Sequence, residues 1–209
     1  MPELNCPSCG AKLEFKSSIA LLAVCQYCKS MVMRDDLKLE DLGKVAQLQV
    51  DGSVVQLGAR GEYRKVSFSV LGRVQMRYAQ GFWNEWFLAF DDGRQGWLGE
   101  AQGNFAVSFR AESKAKLPPH TALKVGQFLE VDGEAYEIQD VRTADYISAE
   151  GELPFRPPLG QSAPVADLTA SGGRFATIDY SEDEPILFKG EYQAFDALRF
   201  AGLKEVEGW

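Results

Sequence analysis

Four cysteines fall within the first thirty residues and none follows them: Cys6-Pro7-Ser8-Cys9-Gly10, then Cys25-Gln26-Tyr27-Cys28. Two C-x2-C pairs separated by fifteen residues have the spacing of a tetrahedral zinc site. A two-residue gap lets one tight turn aim both sulfurs at the same ion, and Gly10 supplies the backbone freedom such a turn needs. Four thiolate ligands leave no open coordination position, so an ion here holds structure and does not catalyse. Disulfides within the pairs would close loops too small to stabilise much. A redox pair of the thioredoxin kind stands near a βαβ pattern, which the sequence lacks, and iron–sulfur ligation is the remaining alternative. Lys12-Leu13-Glu14-Phe15 and Ala20 to Val24 read as short strands, with Met31-Val32-Met33 continuing after the second pair. Residues 1–33 are expected to form a zinc ribbon binding one Zn2+ through Cys6, Cys9, Cys25 and Cys28.

At 45% hydrophobic and 25% charged residues, the 209-residue chain has the composition of a globular protein. Its longest apolar run, Ile19 to Cys25, is far short of the roughly 18 residues of a membrane span. Met1-Pro2-Glu3 lacks the basic region of a signal peptide, so the expected compartment is the cytoplasm. A net charge of −8 disfavours non-specific attraction to nucleic acid. The charge is uneven. Arg60, Arg64, Lys65, Arg73 and Arg77 stand against Glu62 alone in residues 58–78, whereas residues 130–152 hold eight acidic residues and one arginine. These two segments are expected to face each other.

After the ribbon, Asp35-Asp36 could cap a linker helix over 34–47, with Leu39, Leu42 and Val45 on one face. The period then becomes two. Val66, Phe68, Val70, Val74, Met76 and Tyr78 alternate with polar residues, and Gly72 marks a bend or bulge. Trp86, Leu88 and Phe90 share a strand face before Asp91-Asp92-Gly93-Arg94, a hairpin-turn signature. Short strands at 8–12-residue spacing indicate a barrel or sandwich. The second half repeats the plan loosely. Phe68-Ser69-Val70 matches Tyr136-Glu137-Ile138 at an offset of 68, and the segment ending at Arg94 matches that ending at Arg174 at 80. The proline-rich Pro154 to Gln161 loop accounts for the difference. The chain is thus predicted to be mainly β: the ribbon, the linker, and two related antiparallel barrel- or sandwich-like modules at 48–116 and 117–209.

Catalytic signatures are absent from the sequence. The lone histidine, His120, sits in a Pro-Pro loop with no partner at a recognisable spacing, and reads as an exposed loop residue. There is no Walker lysine motif and no G-x-G-x-x-G after a strand. Glu85, Asp91, Asp92 and Glu100 could offer paired carboxylates, although Asp91 and Asp92 already serve as turn formers. Trp86 belongs to the apolar register and is expected in the core. Trp83 lies off that register, so with Arg73 and Arg77 it is expected to form an aromatic–basic binding surface.

Gly61-Glu62-Tyr63, Phe68 to Val74, Trp83-Asn84-Glu85-Trp86 and Phe90 to Glu100 resemble the bacterial domain of unknown function family 4178, over most of residues 45–200. Members can carry an N-terminal cysteine ribbon. The resemblance implies a β fold and no established activity, and it implies association with polyamine-related and membrane-stress systems. The expected function is a non-enzymatic adaptor that docks protein partners. Nucleic-acid binding through the ribbon and the basic stripe, or an unrecognised enzyme or small-molecule binder, are the alternatives.

Overall fold

A computed structural model describes residues 4–18, 20–35, 38–114 and 116–205. The N-terminal segment folds as β1 (Leu4–Asn5), β2 (Lys12–Leu13), β3 (Leu22–Val24), β4 (Ser30–Asp35) and β5 (Lys38–Lys44). The linker helix expected over 34–47 does not form: Lys38–Lys44 is a strand paired antiparallel with β4, while Asp36 and Leu37 lie outside the described residues. The helical spacing misled because a bulge in the β4–β5 pairing and Gly43 at φ +95 shift the register. Leu39 packs into the ribbon core and Leu42 into a different cluster, on the barrel side. A helix of two or three turns is marginal without packing, whereas the edge of β4 offers hydrogen bonds.

The first half of the body supplies β6 (Arg60–Tyr63), β7 (Val66–Tyr78), β8 (Gly81–Phe90), β9 (Gln95–Ala101) and β10 (Asn104–Ala111). The second supplies β11 (Phe128–Val131), β12 (Glu134–Leu153), β13 (Ser162–Ala170), β14 (Arg174–Asp179) and β15 (Ile186–Gln193). Each half opens on a two-residue hairpin with positive φ at both positions, Arg64-Lys65 and Asp132-Gly133, which lie at the offset of 68 seen in sequence. Hydrogen bonding then runs β7-β8-β9-β10-β15-β14-β13-β12 and returns from β12 to β7. The result is a ring of eight antiparallel strands, four from each half.

Two seams join the halves, and glycine sits at both. Gly72 pairs with Gly151 between β7 and β12, and Gly190 pairs with Ser108 between β15 and β10. A Cβ at Gly72 would lie 1.9 Å from the Glu152 carbonyl oxygen, and one at Gly190 would lie 1.9 Å from that of Val107. No other residue type allows so close an approach.

The outer face of the first half is covered by residues 53–59 and the C-terminal segment, burying Trp86, Phe68 and Leu98 with Val55 and Leu198. Leu123 covers the outer face of the second half over Tyr136, Ile138 and Leu168. The ribbon adds its β3 to β12, pairing Leu22 with Leu153 and Val24 with Gly151. Glu152, only 6% exposed, accepts the backbone N–H groups of Lys16 and Ser17, both at 2.8 Å. The basic and acidic segments do meet, with Arg73 Nη1 3.4 Å from Glu150 and Arg77 Nη2 3.0 Å from Asp145.

Candidate functional site

The two C-x2-C segments fold alike. Cys6 N–H donates to Ala11 O and Gly10 N–H to Cys6 O, while Cys25 N–H donates to Ser30 O and Lys29 N–H to Cys25 O. Gly10 and Lys29 both take the left-handed conformation that closes such a turn. The four sulfurs lie within 4.8 Å of one another, with Cys6–Cys28 at 3.7 Å and Cys9–Cys25 at 3.8 Å. An ion about 2.3 Å from each of four tetrahedral sulfurs requires sulfur–sulfur edges of about 3.8 Å. The cluster can therefore hold a metal ion. The Ser30 hydroxyl and then its amide hydrogen-bond Cys28 and draw its thiol down to about 6. Burial raises Cys6, and Cys9 is pushed up to about 12 against its Ala11 backbone bond, so a metal entering the cluster must displace protons from it.

A second feature emerges from strand alternation. Along β8, Trp83 and Glu85 point into the ring, and Asn84 and Trp86 point out. The inward residues of all eight strands enclose a cavity of about 530 Å3. It reaches the barrel end that carries the 79–80 and 102–103 turns, where Tyr78, Phe82 and Gln102 line it. At the other end the proline-rich loop folds in, setting Phe155 edge-on to Trp97 with ring centroids 5.8 Å apart. Eight strands give a ring just wide enough for filling side chains or one small ligand. This one keeps space.

Of the four acidic residues that line the space, Glu100 turns its carboxylate outward to Ser53, Asn84 and Trp86, and three face inward: Glu85 from β8, Asp167 from β13 and Asp179 from β14. Trp83 Nε1 donates to Glu85 Oε1 at 2.8 Å, and Thr177 Oγ1 to Asp167 Oδ1 at 2.7 Å. Tyr146 donates its hydroxyl to Asp179 Oδ2 at 3.1 Å, and the Ser181 amide donates to Oδ1 at 2.7 Å. Burial, with the charges of Asp167 and Asp179 adding to it, pushes the Glu85 carboxyl up to about 7 despite the Trp83 bond. Burial also raises the Asp167 carboxyl, against the Thr177 bond and the charge of Arg142.

A family model described as Domain of unknown function (DUF4178) matches residues 56–194, about two thirds of the chain, from just before β6 to the end of β15. The chain belongs to that family. Among curated proteins and among solved structures, nothing matches. The DUF4178 region contains the whole eight-stranded ring, and its Trp83-Asn84-Glu85-Trp86 motif serves both sides of the wall at once. Inward, it supplies Trp83 and Glu85 to the cavity. Outward, Trp86 Nε1 donates to Glu100 at 2.8 Å, and Asn84 accepts from the buried Arg73 at 2.9 Å.

The structure disperses the residues expected to form a binding surface. Trp83 is half-buried in the cavity wall, edge-on to Tyr78; Arg73 is buried among Asn84, Asp51 and Glu150; and Arg77 alone is exposed. The error lay in treating the face opposite Trp86 as solvent, when ring closure makes it an interior. Glu85 and Glu100 likewise fall on opposite sides of the wall, and Asp91 and Asp92 are taken up by Arg60 and Arg94 in and beside the turn. Glu85 instead meets Asp167 and Asp179 from the other half. Sequence reading missed both, although Val165, Asp167 and Thr169, then Thr177 and Asp179, alternate with apolar Ala166, Leu168, Ala176 and Ile178. His120 is half-buried and packs edge-on against Tyr180, a correction to its reading as an exposed residue. Trp86 is fully buried.

Proposed function

We propose that this DUF4178 chain is a non-enzymatic small-ligand-binding barrel braced by a structural zinc ribbon. The observation that carries the reading is the cavity of about 530 Å3 inside the ring, within the size range of small-molecule sites and mixing aromatic walls with a few converging polar groups. The zinc assignment rests on four thiolate donors and sulfur edges that suit a 2.3 Å ligand distance. Unbridged thiols serving as metal ligands fit a reducing compartment, and the reading places the protein in the cytoplasm. No helix among the described residues is long and apolar enough to cross a membrane.

Filling the cavity tests the reading. Ala106 lines the space and is buried, so Ala106→Phe would occupy part of it. A neutral apolar dye such as N-phenylnaphthylamine should accept excitation energy from Trp83 and Trp97 in the wild-type protein. The Ala106→Phe protein, with an unchanged far-ultraviolet spectrum, should lose that signal. Equal dye binding by both proteins would place the dye outside the barrel and defeat the proposal.

A further inference from the structure

We infer that the barrel cavity takes a small organic cation, its ammonium head against Glu85 and Asp167 and its apolar body along Trp83 and Trp97. The inference rests on the ligand-binding reading above and names the chemistry of the ligand.

The three inward carboxylates are not equivalent. Asp179 receives a donor on each oxygen. Glu85 and Asp167 receive one donor apiece, on Oε1 and Oδ1, so that one oxygen of each has no hydrogen-bond donor among the described residues. None of the three makes an ion pair with a described lysine or arginine. Arg142, the cation that lines the cavity, is engaged by Asp140 and lies over the Tyr78 ring at 4.3 Å. Glu85 has no counter-charge among the described residues and Asp167 feels only that of Arg142, which Asp140 engages, so an entering cation relieves the cost of burying them through charge-assisted hydrogen bonds.

The walls decide what kind of cation fits. Among the described residues, only the four cysteines gather three or more metal-ligating groups into one cluster, so the three inward carboxylates do not form a metal cage, and an ammonium group contacting two of them suits the space better. They stand apart on β8, β13 and β14, around a space far larger than a metal needs. Trp83 and Trp97 are inward aromatics of the type that attracts ammonium groups and packs against apolar chains. A carboxylate ligand would meet like charge from Glu85, Asp167 and Asp179. A neutral one would leave the unpaired oxygens desolvated.

Three probes of one shape separate these cases: phenylbutylamine, phenylbutanol and phenylbutyrate, titrated while tryptophan fluorescence is followed. At pH 8 the wild-type protein should prefer the amine over the alcohol by about tenfold. Amine affinity should rise as pH passes through about 7, where Glu85 ionises beside Asp167, Asp179 and the Tyr146 hydroxyl, while the probe itself stays protonated. Glu85→Gln should flatten that profile and remove most of the preference. Asp167→Asn is the second variant, and thermal melting shows that each is folded. Equal or tighter binding of the alcohol or the butyrate would overturn the cation assignment and leave the ligand-binding barrel standing. An amine preference unchanged in both variants would overturn the assignment to these carboxylates. Failure of all three probes to bind would overturn the assignment, and the barrel reading falls with it if the neutral dye also fails to enter.

Discussion

Arg73 holds a full charge where only 8% of its side chain meets solvent. Asp51, Glu150 and Asn84 receive its guanidinium donors, and the group lies 4.6 Å from the centre of the Trp86 ring. Removing one partner from such a network leaves the others buried and uncompensated. Arg73→Ala should therefore cost about 3–5 kcal/mol in chemical denaturation, and a loss below about 1 kcal/mol would show the network to be dispensable. Glu85 acts in the opposite direction. Its carboxyl ionises near 7 in the folded protein against 4.5 ordinarily, so the empty barrel loses stability as pH climbs through that interval. Glu85→Gln should match the wild type at pH 4 and exceed it by about 2–3 kcal/mol at pH 8. Thermal melts at the two values check this, and a gain of equal size at pH 4 would assign the effect to packing. Bound cation should narrow the pH 8 difference.

At the scale of elements, the seams between the halves depend on closely approaching backbones. Gly190→Ala would press a methyl group against the Val107 carbonyl and force β10 and β15 apart, for an expected loss of about 2–3 kcal/mol. Gly52→Ala, where a Cβ meets nothing within 4 Å, is the control. Melting temperatures that fall equally in both variants would refute the seam argument. The ribbon is a separate case. Its small core of Leu13, Phe15, Ala20 and Val32 is drawn around Cys6 and Cys25, so chelation should disorder it. The barrel keeps two clusters to itself and shares a third with Leu22, Val24 and Met31 of the ribbon, and its circular dichroism should persist. Collapse of the whole β signal on chelation would mean that the β3–β12 pairing and the Glu152 bonds make the two parts one unit. Much at this scale is legible in sequence. The cysteine spacing gives the knuckles, period-two runs give the strands, and the offset of 68 gives the matched hairpins. The side of the wall on which a residue falls is not legible, because ring closure is a long-range event. Trp83 and Glu85 look solvent-facing until β12 meets β7. Asp167 and Asp179 come to face Glu85 only through pairings between residues 70 to 88 positions apart.

For the molecule as a whole, the ring takes four strands from each side of residue 117, and each set has two strands that need partners from the other. We expect residues 1–116 expressed alone to aggregate through the open edges of β7 and β10, and residues 117–209 through β12 and β15. Co-expressed, the two should assemble into one soluble particle on size-exclusion chromatography. A soluble, cooperatively melting product from either piece alone would make the halves true domains. The twenty-residue β12 binds the whole together, since it pairs in turn with β11, β13, β7 and β3. That arrangement has a consequence for the timing of synthesis. A ribosome adds roughly 5–20 residues each second, so about 2–8 s pass between the emergence of β10 and the completion of β12. During that interval the edge of β7 has no partner, and β3 waits longer still. A chaperone that shields strand edges would meet this nascent chain while β12 is still being made.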